Sequence, residues 1–246
     1  MENRLNKFQL FLLHFAGGSS YSFDFLKKEF DQDIEFIALE LPGRGKRFDE
    51  KLLKSKKKAI DDYCKQIISL TNGSPFVIYG HSMGASLGLG VVSKLEQAGY
   101  YPARLVVSGN AGPGVKKKEN VIRYLLDDFH FKEELRRLGG IPEEVLTNTV
   151  LYEFFAPIMR ADFECIEKKT DTEDNQQIGV LQTPIYAMMG SEEECCDAIT
   201  NWTSFTSANF EYKILKGNHF FIHDHVREVA NVLKKSFFTK MHLQEL

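Results

Sequence analysis

Short apolar runs alternate with longer stretches of helical spacing along this chain, and few architectures can absorb that alternation. The runs are Phe8–Phe15, Ile34–Leu39, Phe76–Tyr79, Leu105–Val107, Ile185–Met189 and Tyr212–Leu215. Each is rich in Ile, Val, Phe and Leu and bounded by Gly, Pro, Asn or charge, which suits a strand covered on both faces. Between them, Phe23–Phe30, Ala59–Leu70, Met83–Ala98 and Val226–Phe238 carry the period of amphipathic helices. Strand and helix in alternation predict an α/β fold, a mostly parallel central sheet flanked by helices, and a single domain accommodates all 246 residues. The alternation lapses between Gly114 and about Thr183. There Val121–Phe129, Glu133–Leu138, Glu143–Leu146 and Leu151–Ile166 read as helices, separated by Leu138-Gly139-Gly140-Ile141-Pro142 and by Pro157. A helical insertion over about 115–182 is therefore expected, placed to serve as a lid. Its apolar side chains, among them Leu125, Phe129, Phe154, Phe155 and Met159, suit either a channel lining or the core of a helical cap.

Composition narrows the partners. A formal charge of −3 excludes a generally basic nucleic-acid binder. No apolar run approaches the roughly 18 residues of a membrane span. The opening stretch through Leu10 has no small-residue cleavage site and predicts no secretory signal. Cys64, Cys165, Cys195 and Cys196 form no C-x-x-C pair, so the expectation is reduced thiols in a cytoplasmic protein, with no structural zinc.

The chemistry concentrates at Gly80-His81-Ser82-Met83-Gly84, a G-x-S-x-G string between the strand Phe76–Tyr79 and the helix that starts at Met83. Strand, tight turn and helix in that order form a nucleophile elbow of the α/β-hydrolase fold. The turn lifts the Ser82 hydroxyl off the sheet edge and puts the Met83 N–H at a helix N-terminus, where negative charge is favoured. Of seven histidines, His219 is the one that follows the last strand and precedes the final helix, the chain order of Ser, acid and His in this fold. His223 and His225 near it suggest a metal only weakly, because no carboxylate stands at H-E-x-x-H spacing. The acid should follow the fifth strand, where Glu192, Glu193, Glu194 and Asp197 compete. His14-Phe15-Ala16-Gly17-Gly18 ends the first strand, and its glycines leave the Ala16 N–H free to join that of Met83 as an oxyanion hole. Serine, base and oxyanion hole supply a whole acyl transfer, so no metal or redox cofactor is implied.

These motifs resemble the stand-alone type II thioesterases that serve nonribosomal peptide, polyketide and fatty acid synthases. The resemblance runs from His14-Phe15-Ala16-Gly17-Gly18 through Leu41-Pro42-Gly43-Arg44-Gly45, the elbow with Ala85, Leu138-Gly139-Gly140-Ile141-Pro142 and Arg160-Ala161-Asp162-Phe163 to Gly217-Asn218-His219-Phe220-Phe221. It implies hydrolysis of acyl or aminoacyl thioesters from the phosphopantetheine arm of a carrier protein. It also implies Glu193 as the acid, in a register where the family usually has Asp. Asn218 stands where Gly is more common. The implied partner is an acidic carrier protein, with Lys116-Lys117-Lys118 as the candidate docking run and a monomer as the default state.

Overall fold

The structure, a computed structural model, describes residues 7–115, 121–168 and 179–238. Among these residues, six parallel strands form one sheet in the order β2-β1-β3-β4-β5-β6. They are β1 (Phe8–Leu13), β2 (Ile34–Ala38), β3 (Phe76–His81), β4 (Arg104–Ser108), β5 (Ile185–Gly190) and β6 (Phe210–Leu215). All six apolar runs of the sequence become strands. Side chains alternate across the sheet as a two-residue period requires. Phe11, Leu13, Ile78, Leu105, Val107 and Ile185 enter one core; Leu10, Leu12, Val77, Tyr79 and Val106 enter the other. The first core is closed by α2 (Lys56–Leu70) and α3 (Met83–Gln97), the second by α1 (Asp24–Lys27) and α7 (Val226–Lys235).

Among the described residues, three helices, α4 (Asp128–Leu138), α5 (Glu143–Thr147) and α6 (Thr149–Glu167), lie between β4 and β5. They bury Phe131, Leu135, Leu146, Tyr152, Met159 and Phe163 in a third cluster of their own. No helix among the described residues is long and apolar enough to cross a membrane.

Several helix expectations are corrected. Phe23–Phe30 yields only the four residues of α1, because Glu29 and Phe30 donate to carbonyls three residues back and tighten the chain out of the α geometry. Val121–Phe129 is not a helix. A 3₁₀ turn occupies Arg123–Leu125, and the Asp127 side chain then accepts from the His130 N–H and starts α4 afresh. Pro157 does not separate one helix from the next but sits inside α6, on an exposed face where water can take the carbonyl of Glu153. A 3₁₀ run over Cys196–Phe205, unexpected from the sequence, buries Ile199 and Trp202 beneath the C-terminal half of the sheet. Cys64, Cys165, Cys195 and Cys196 carry no disulfide.

Candidate active site

The sheet sets the site at the C-terminal ends of its strands. β3 ends in His81, and Ser82 turns the chain into α3 at φ 55°, the one positive φ of a non-glycine residue among those described. Such a conformation stores about 1–3 kcal/mol and persists only where the surroundings impose it. Two glycines make it possible. A Cβ on Gly80 would lie 2.3 Å from the Gly84 carbonyl carbon, and one on Gly84 would lie 2.1 Å from the Leu13 oxygen. The Ser82 N–H donates to Ser108 O at 2.8 Å, which fastens the turn to β4. Ser82 occupies the N-cap of α3 yet makes no cap hydrogen bond. Its hydroxyl instead lies 2.9 Å from His219 Nε2.

His219 stands on the loop after β6. Its Nδ1–H donates to Glu193 Oε2 at 2.7 Å, which leaves Nε2 unprotonated and able to accept from Ser82. Glu193 sits just beyond β5, and its other oxygen accepts the Gly190 N–H at 2.8 Å. The two loops meet closely: a Cβ on Gly190 would lie 2.3 Å from the Asn218 oxygen. Thus Glu193, His219 and Ser82 form one hydrogen-bonded run, while Glu192 and Asp197 are exposed to solvent. The longer side chain of Glu fits because its carboxylate folds back onto the strand end.

The remaining histidines have other partners. His225 Nε2–H donates to Lys216 O, and His223 packs on the rings of Phe25 and Phe220. His130 pairs with Asp127, and His242 lies outside the described residues, as does Lys116-Lys117-Lys118. No group of three or more His, Cys, Asp or Glu among the described residues is arranged to hold a metal ion.

His14 and His81 are fully buried. Burial, reinforced by the Arg44 charge, lowers His14 to about 4. Burial, reinforced by His219 and His223, holds His81 well below the ordinary imidazole range. Both therefore stay neutral in the folded protein and take up protons on unfolding. The unfolded chain binds the extra protons below the ordinary value of 6.5, so stability present above that pH is lost as pH falls toward the folded-state values. Each histidine should cost about 1.4 kcal/mol per pH unit in that window. Urea unfolding should accordingly show a clear drop in free energy between about pH 7 and pH 5; a flat profile would contradict this.

The oxyanion candidates lie side by side in the sheet order. Ala16 follows β1, and Met83 follows β3, its hydrogen-bonded neighbour. Among the described residues, neither N–H donates to an acceptor of the chain. A cavity of about 560 Å³ is lined by Gly17, Gly18, Arg44, Phe48, Phe154 and Phe155 among others. Of the side chains expected to line a channel, Phe154 and Phe155 reach this cavity. Met159 packs against Gly17 instead, and Leu125 and Phe129 are exposed at the surface.

A family model described as Thioesterase domain matches residues 8–237. The gramicidin S biosynthesis protein GrsT of Aneurinibacillus migulanus is 29% identical over 95% of this chain and 90% of its own length. The medium-chain S-acyl fatty acid synthase thioesterase of Rattus norvegicus is 25% identical over 87% and 81%. Among solved structures, ClbQ from the colibactin NRPS/PKS pathway superposes with a TM-score of 0.83 at 27% identity, covering 94% of this chain and 96% of that one.

Proposed function

This chain belongs to the thioesterase domain family, and on that premise we propose that it hydrolyses acyl or aminoacyl thioesters held on the phosphopantetheine arm of a carrier protein. The observation that carries the reading is the hydrogen-bonded run from Glu193 through His219 to Ser82.

In this reading Ser82 is the nucleophile, His219 the general base and Glu193 the acid that orients it. As Oγ attacks the thioester carbonyl carbon, its proton passes to His219 Nε2. The negative charge that forms on the carbonyl oxygen falls to the Ala16 and Met83 N–H groups, the second at the positive end of α3. The C–S bond then breaks, and the proton held by His219 goes to the departing thiol of the arm. Water repeats the sequence on the acyl-serine: His219 takes its proton, the ester bond breaks, and Ser82 recovers a proton as the free acid leaves. Charge and protons balance without a metal or redox cofactor.

The same proposal takes the chain as one catalytic domain in which α4, α5 and α6 serve as the lid, acting as a cytoplasmic monomer. Relatives named for gramicidin S and colibactin pathways support a carrier-bound substrate. The test compares kcat/KM for an acyl-carrier protein, the matching acyl-pantetheine thioester and a p-nitrophenyl ester. The carrier-bound thioester should be preferred over both. A preference for the free ester would make the chain an esterase or acyltransferase of small substrates, which the same residues could run equally well.

A further inference from the structure

Two sequence motifs, Gly43-Arg44-Gly45 and Arg160-Ala161-Asp162-Phe163, supply nothing to the hydrogen-bonded run at Ser82. The fold nevertheless brings their charged members together against the loop that carries Ala16. Arg44 lies on the loop after β2 and is 3% exposed; Asp162 lies on α6 and is 1% exposed. The guanidinium grips the carboxylate with two hydrogen bonds, Nη1 to Oδ2 at 2.6 Å and Nη2 to Oδ1 at 2.8 Å. Each partner also holds the Ala16 loop. The Gly17 N–H donates to Asp162 Oδ2 at 2.8 Å, and Arg44 Nη1 donates to Gly18 O at 3.2 Å. A third buried group, Glu40, accepts from the Ser20 and Lys46 N–H groups and so ties the far end of the loop to the Arg44 segment.

Peptide geometry shows what these bonds control. In a trans peptide the C=O and N–H point in opposite directions. The aim of the Ala16 N–H is therefore set by the Phe15 carbonyl, which accepts from the Gly18 N–H and from His14 Nδ1–H, both at 2.9 Å. The next peptide plane is fixed by the Gly17 N–H on Asp162. Both planes that flank the Ala16 Cα are thus pinned, one of them directly by a side chain from α6.

Stability alone does not call for this pair. Two buried charges lose their hydration, and apolar side chains of similar volume are often no worse. A planar fork on a carboxylate gives fixed direction instead. We propose that Arg44 and Asp162 are positioning residues that hold the Ala16 N–H in the orientation an oxyanion requires, so that α6 helps to support the oxyanion hole. This rests on the reading of Ser82 as nucleophile.

The experiment removes both members together, so that neither Arg44 nor Asp162 is left without the other. Asp162→Asn alone strands the Arg44 charge and is at risk of unfolding. The double variant Arg44→Met with Asp162→Leu keeps the volume and should melt near the parent temperature. Arg44→Lys, which keeps the charge but not the fork, is the second variant. In the folded double variant kcat should fall about 10- to 100-fold, the cost of a small misplacement at a reacting centre. KM should stay within about threefold, because ground-state binding does not use the hole. Affinity for an acyl trifluoromethyl ketone, whose adduct carries an oxyanion, should fall in step with kcat. Arg44→Lys should show a smaller loss of the same kind. Parent-like kcat in the folded double variant, or a loss confined to KM, overturns the proposal. Activity in Ser82→Ala would instead overturn the reading on which it rests, so the two failures are separable.

Discussion

Ser82→Ala should lower kcat by about 10⁶, the usual cost of losing a nucleophile that acts with its base as a unit. The side chain loses one oxygen, whose hydrogen-bond partner is His219 Nε2, and the backbone at φ 55° is held by Gly80, Gly84 and the bond from the Ser82 N–H to Ser108. Alanine meets the same strain as serine there, so the melting temperature should move little. A serine-directed phosphonate should label the parent protein once, on Ser82, as read by peptide mass spectrometry. A second labelled site, or turnover by the folded variant, would remove Ser82 from the mechanism.

Glu193→Gln should cost about 10⁴ in kcat, the scale seen when an orienting carboxylate becomes an amide. The reason lies in the donor count. Glu193 accepts from two N–H groups, Gly190 and His219 Nδ1, one on each oxygen. A glutamine has only one acceptor end. If its oxygen stays on Gly190, its NH₂ faces His219 and favours the tautomer protonated at Nε2, which cannot take the Ser82 proton. Glu192→Gln, Glu194→Gln and Asp197→Asn should keep most activity, since His219 Nδ1 donates to Glu193. Were Asp197→Asn the inactive variant, the acid would belong to the 3₁₀ run and not to the end of β5.

The sheet was legible because its signal is local: short apolar runs bounded by breakers, set between stretches of helical spacing, suit buried strands. The candidates Ser82 and His219 could be singled out as well, one inside a string flanked by strand and helix, the other by chain order, and the fold brings Nε2 within 2.9 Å of Oγ. The acid was not. Three consecutive glutamates offer the same chemistry, and in the fold the two oxygens of Glu193 accept from the Gly190 N–H and from His219 Nδ1–H. The Arg44–Asp162 pair was equally hidden. Its members are 118 residues apart, and nothing in either motif says that the other lies beside it. Helix limits failed where a side chain decides between two local structures, as Asp127 does at the start of α4.

The position of Asp162 also bears on how this fold can be recombined. An insertion between two strands is commonly pictured as a detachable module, free to be exchanged so that a core can accept new substrates. Here the exchange is constrained, because α6 carries the carboxylate that the Gly17 N–H and Arg44 both need. A chimera that takes these helices from a distant relative inherits a working core only if the incoming segment presents an acid at the place of Asp162, or if the Arg44 loop travels with it. On the proposed role of Asp162, the inserted helices and the support of the Ala16 loop are therefore inherited together.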